Sequence, residues 1–109
     1  DPKNDVAYSI YGTFYRTLGK VNWFERALAN TLLGGLPDGG FAEAEQSLKK
    51  AILLAPNIIR HRFELGMVYL EMEKPSEAKK IFSEAITLPI LLASDKNRID
   101  RMKRRLAEL

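Results

Sequence analysis

Residues 41–56, FAEAEQSLKKAILLAP, and residues 75–89, PSEAKKIFSEAITLP, decide the fold between them. Laid over one another, they bring Ala44, Leu48 and Ala51 onto Ala78, Phe82 and Ala85, with the same offset at every position. Spacings of four and three put such a triplet on one face of a helix. Upstream, Tyr11-Gly12 and Tyr15 recur as Leu65-Gly66 and Tyr69, again with one constant but longer offset. The shorter offset is the length of a plain repeat, and the longer one marks the same repeat with an insertion between its two helices. The residue types explain the pairing. Gly12 and Gly66 let a second helix approach where a Cβ would hold it off, the alanines do the same from the other side, and Tyr15, Tyr69, Leu48 and Phe82 fill the remaining space.

These landmarks resemble the tetratricopeptide-repeat (TPR) signature L-G-x2-Y, A-x3-F-x2-A, P, over nearly the whole chain. Pro56 and Pro89 end a helix, and Pro2 sits where the same proline of a preceding repeat would fall. Arg62 stands at the usual Trp site and is the weakest match. The resemblance implies an all-α, TPR-like solenoid of antiparallel helix pairs in one domain over 1–109. Repeat 1 covers about 5–56 with an insertion at about 21–40, repeat 2 about 58–89, and a C-terminal capping helix about 95–109.

Local signals agree with this. A first helix over 5–18 has Asn4 as its cap and Asp5 in its first turn, with Gly19 as its stop. An inserted helix over 23–33 opens with Asn22-Trp23-Phe24-Glu25, the N-x-x-E form of a capping box, and gives way to a glycine-rich loop over 34–40. Further helices are expected over 41–54, over 58–72 with Asn57 as cap, over 75–88 from Pro75, and from Ser94-Asp95 to the C-terminus. Ile99, Met102, Leu106 and Leu109 give the last of these an apolar stripe. No segment alternates with period two, so no sheet is expected.

The stretch Trp23-Phe24-Glu25-Arg26-Ala27-Leu28-Ala29, set between Tyr-Gly-x2-Tyr and Ala-x3-Leu-x2-Ala, resembles the regulator of microtubule dynamics family, in which a W-x-x-R-x-x-A helix interrupts the first full repeat. That resemblance implies a scaffold that binds partners or lipid at organelle surfaces, often tethered to a membrane through a separate segment. The lack of cysteine and the short loops also suit a bacterial relative.

Composition narrows the possibilities. With 109 residues, 46% of them apolar, one domain with a modest core fits. No apolar run reaches the roughly 18 residues of a membrane span, and no signal-peptide pattern is present. A start at Asp1 without Met reads as an excerpt of a longer protein. Absence of Cys removes disulfides and thiolate chemistry and suits cytoplasm or periplasm alike. The net charge of +3 comes entirely from residues 95–109, with six Lys/Arg against three Asp/Glu. Those cations, Lys96, Arg98, Arg101, Lys103, Arg104 and Arg105, lack interleaved aromatics, which argues against nucleic acid. A solvated helix face that suits the negative end of the helix dipole is the plainer reading, and an anionic membrane surface lies between the two.

No catalytic, metal or cofactor site is expected. His61 is the only His, and a single His-x-x-Glu with Glu64 lacks further ligands; a partly exposed helix residue is the plainer reading. There is no G-x-S-x-G turn, and the glycines of 34–40 lack the Lys-Ser/Thr partner of a phosphate loop. Function is instead expected in the concave groove lined by the first helix of each pair. On the TPR register this places Thr13, Arg16, Arg60, Phe63, Met67 and Leu70 there, an apolar strip edged by two arginines. Each is equally readable as ordinary packing. Ser9, Thr13 and Glu64 depart from the chaperone-clamp pattern of TPR domains. Trp23 and Phe24 read as core or as a lid over the groove. The expected function is a protein-interaction scaffold for a peptide or helix, with a hydrophobic ligand or phospholipid as the alternative. Helix 5–18 is apolar on nearly every side, and self-association of the fragment through it is expected.

Overall fold

The computed structural model describes residues 4–20, 25 and 40–109. They form helices α1 (Asp5–Lys20), α2 (Phe41–Leu54), α3 (Ile59–Glu71), α4 (Pro75–Ala85) and α5 (Asp95–Glu108), with no strand among the described residues. The inserted helix over 23–33, its capping box, Trp23, Phe24 and the loop over 34–39 lie outside the described residues, Glu25 excepted. No described helix is long and apolar enough to cross a membrane.

Helix ends follow the sequence signals in part. Asn4 caps α1 as expected, its Oδ1 accepting from the backbone N–H groups of Val6 and Ala7 at 3.0 and 3.2 Å. Gly19 does not stop α1, which runs on to Lys20. A Cβ at Gly19 would lie 2.6 Å from Phe41 Cδ1, so this glycine serves the close approach of α2 instead. Ile58, not Asn57, occupies the cap of α3, without a side-chain hydrogen bond. Pro75 opens α4 at its first turn, where a missing N–H costs nothing. That helix ends at Ala85 instead of 88, with Thr87 Oγ1 donating to the Glu84 carbonyl at 2.7 Å. Asp95 points backwards, accepting from Leu91 N and Leu92 N at 3.2 and 3.0 Å, so it organises the turn before α5.

Packing repeats itself. A Cβ on Gly66 would fall 2.1 Å from Phe82 Cε1, and one on Gly12 would fall 2.5 Å from Leu48 Cγ. These are the two pairs related by the sequence offsets. Ala44, Ala51, Ala78 and Ala85 are all fully buried, so α2 sits against α1, and α4 against α3, through the same small-residue face. A short turn joins α3 to α4; Glu73 takes the left-handed region there (φ 59°), and Lys74 N donates to the Tyr69 carbonyl. Such a short connection makes α3 and α4 antiparallel neighbours.

The core lies where α2, α3, α4 and α5 meet, around Leu48, Ile59, Leu65, Val68, Phe82 and Met102. Ile99 and Leu106 pack on it beside Met102, whereas Leu109, the fourth member of the expected stripe, is exposed. Tyr69 fills space as expected, and its hydroxyl also donates to Glu45 Oε2 at 2.9 Å, tying α3 to α2. Lys49 closes the same cluster at 2.9 Å from Glu45. Burial opposes ionisation of Glu45, but its hydrogen bonds from Lys49 and Tyr69 prevail and hold its carboxyl below the usual value.

Candidate functional site

A ladder of polar contacts joins α1 to α3. His61 Nε2 meets Asp5 Oδ2 at 2.8 Å, Arg60 Nη2 donates to Ser9 Oγ at 3.2 Å, and Arg16 donates to Glu64 and Glu71. From the rungs at Asp5 and Ser9 to the one at Arg16, the partners advance from residues 60–61 to Glu64 and Glu71, so α1 and α3 run in the same direction. Arg16 contributes Nη1 to Glu64 Oε2 at 2.9 Å, Nε to Glu71 Oε1 at 2.8 Å and Nη2 to the same oxygen at 2.7 Å. All three side chains are less than one-fifth exposed. Arg16 is thus committed to two carboxylates, and Arg60 leans on Ser9; the two arginines do not frame an apolar strip as free cations. Thr13 is exposed, its hydroxyl turned back onto the Ser9 carbonyl at 3.1 Å, and Leu70 packs against the core.

His61 is fully buried, which corrects the expectation of a partly exposed residue. Its Nδ1 has no partner and its pKa is lowered from 6.5, chiefly by burial, with Asp5 working in the other direction. The neutral imidazole therefore donates through Nε2–H to Asp5. His61 and Glu64 are committed to different partners, Asp5 and Arg16. Because the folded-state pKa lies below the unfolded one, the unfolded chain binds more protons between the two values, and stability is lost as pH falls below about 6.5. The unfolding free energy from urea melts should decline between about pH 7 and pH 5 with a slope of up to ~1.4 kcal/mol per pH unit, the midpoint falling with it, and His61→Gln should flatten that decline. A wild-type midpoint constant over this range would contradict the neutral assignment.

Phe63 and Met67, the other two expected groove residues, do come together, and what they meet is α5. They floor a cavity of about 240 Å³ whose rim is Arg101, Arg104, Arg105 and Glu108. Phe63 is buried, with the Arg101 guanidinium 4.8 Å from its ring centroid. Positions 101, 104, 105 and 108 follow helical spacing, so the four side chains share one face of α5. Arg105 Nη1 lies 3.9 Å from Glu108 Oε2, a loose pair on exposed side chains. Neither Arg101 nor Arg104 has a carboxylate within ion-pair distance among the described residues. Three guanidiniums over an apolar floor can hold an anionic group whose attached carbon chain rests on Phe63 and Met67.

Two other surfaces stand out. A larger apolar groove of about 440 Å³ lies between α2 and α4, over Leu65 and Tyr69, with Lys49, Lys80, Glu77 and Glu84 at its edges; its mixed charges select no ligand sign. On α1, Val6, Ile10, Tyr11 and Phe14 are each about half exposed.

Over residues 1–109 the sequence matches the family described as Regulator of microtubule dynamics protein 1-3. The chain belongs to this family. Regulator of microtubule dynamics protein 2 of Mus musculus is 27% identical over 109 residues, covering 99% of this chain and 27% of that protein. The proteins of the same name in Homo sapiens and Rattus norvegicus are each 28% identical over 109 residues, with 99% of this chain covered and 27% and 26% of theirs. The chain thus spans about a quarter of the length of these regulators. Membership agrees with the family expected from Trp23, Arg26 and Ala29. The arginines of α5 were not expected in the site of this regulator-family chain. Their helical spacing was readable in the sequence, but not that α5 would lay them beside Phe63 and Met67.

Proposed function

We propose that this chain is a TPR-like interaction module without catalytic activity of its own, and that it docks a partly apolar, acidic segment of a partner protein at the α3–α5 pocket. On this reading the pairs α1–α2 and α3–α4 are repeats and α5 is the capping helix. The recurring Gly12–Leu48 and Gly66–Phe82 contacts support it. The observation that carries the function is the rim of three arginines against one carboxylate over Phe63 and Met67. A cavity of 240 Å³ is smaller than the roughly 300 Å³ at which small-molecule sites begin. It accepts a side chain or a headgroup but does not enclose a whole phospholipid, which favours a protein segment over the lipid alternative. The exposed stripe of α1 supports self-association as a second contact of the same module.

Membership of a family named for microtubule dynamics makes the microtubule lattice the first partner to test. Polymerised tubulin should carry the domain into the pellet on co-sedimentation, less so as salt rises. Arg101→Glu with Arg104→Glu should reduce the bound fraction roughly tenfold or more, with helical circular dichroism unchanged because both residues are exposed. Equal pelleting of the variant and the wild type would remove the pocket from the interaction.

A further inference from the structure

Resting on that reading of the pocket, we infer that the anionic group it recognises is a phosphate monoester on a partner's side chain, flanked by an aliphatic residue that rests on Phe63 and Met67.

Charge count, donor geometry and size point the same way. Arg101, Arg104 and Arg105 carry three positive charges and Glu108 returns one, which leaves a surplus of two. A carboxylate brings one negative charge on two oxygens; a phosphate monoester brings about −1.5 to −2 on three. Three guanidinium forks on one helix face suit the larger acceptor set, since each can bond a separate oxygen.

Residue choice supports this. Helix α5 also carries Lys96 and Lys103, yet neither lines the cavity, and all three cations that do are arginines. Arginine, unlike lysine, fits phosphate with a planar pair of donors. The floor adds the second requirement: Phe63 belongs to the core and is only 5% exposed, with Arg101 over its ring, and Met67 is half-buried, so the apolar area on offer suits a single aliphatic side chain, not an acyl tail.

The test uses the pentapeptide acetyl-Ala-Leu-pSer-Leu-Ala-amide beside the same peptide with Glu or unmodified Ser at the centre. Titration is followed by calorimetry and by the side-chain Nε–H signals of the arginines. The phosphopeptide should move the signals of Arg101, Arg104 and Arg105 and bind roughly tenfold or more tightly than the Glu form. Its affinity should fall as pH drops through about 6, where the phosphate loses its second charge, while that of the Glu form holds. Arg104→Lys, which keeps the charge, should lose most of the advantage.

Equal binding of the phosphorylated and Glu peptides would overturn the phosphate inference and leave the acidic-segment reading standing. Silence of all three peptides at millimolar concentration, with the domain folded, would overturn both. Vesicles of phosphatidylcholine with phosphatidic acid that shift these arginine signals when the phosphopeptide does not would overturn the inference in favour of a lipid headgroup.

Discussion

Phe82→Ala should be the most destabilising single change in the core, moving the urea midpoint far below that of the wild type. Phe82 is fully buried, and its ring lies where a Cβ on Gly66 would stand. Removing it costs ~3–5 kcal/mol through lost transfer energy and the cavity left behind, against a total stability of about 5–15 kcal/mol for a domain of ordinary size. The converse change is also costly. A methyl group at position 66 would lie 2.1, 2.6 and 2.7 Å from three atoms of that ring, so Gly66→Ala should cost ~1–3 kcal/mol by overpacking despite alanine's better helix propensity. Because the two sites touch, Gly66→Ala combined with Phe82→Leu should cost less than the sum of the single changes. Urea melts of the four proteins give the coupling directly, and strict additivity would show that the ring can move aside.

Arg16→Met should be the second most damaging change. It leaves Glu64 and Glu71, each less than one-fifth exposed, without their shared cation, and one oxygen of Glu71 is already buried without a partner. Breaking a buried pair from one side costs about 3–5 kcal/mol, and the residual solvent contact here argues for the low end. Adding Glu64→Gln and Glu71→Leu to the variant should recover much of the loss, since no uncompensated charge then remains. An Arg16→Met protein with an unchanged urea midpoint would mean that its guanidinium is free for another task.

What the sequence made legible was whatever repeats or follows a helical period. The alanines at 44, 51, 78 and 85 and the glycines at 12 and 66 announced their burial because a shifted copy of each existed to compare with. Contacts made once, between distant helices, had no such copy. Arg16 looked like a ligand-facing cation because its carboxylates stand 48 and 55 residues away. His61 looked like a surface residue because the aspartate that receives its N–H belongs to the start of α1, 56 residues earlier. Glycine was legible as a small residue but not as to purpose: Gly19 resembled a helix stop, and only the ring of Phe41 beside it explains why the helix continues. The candidate site was half legible. Phe63 and Met67 were expected in it, while the arginines opposite them depend on how α5 folds back over α3.

The two equivalent glycine contacts are closed by very different lengths of chain. The path from Gly12 to Leu48 is more than twice as long as the path from Gly66 to Phe82. Loop-closure entropy grows only with the logarithm of length, so the longer path costs about 0.7 kcal/mol more. A single glycine seat therefore specifies how two helices meet almost regardless of what connects them. The junction between α1 and α2 acts as a splice port, where chain can be gained, lost or exchanged, by evolution or by an engineer grafting a sensor, while the joint beneath keeps its geometry.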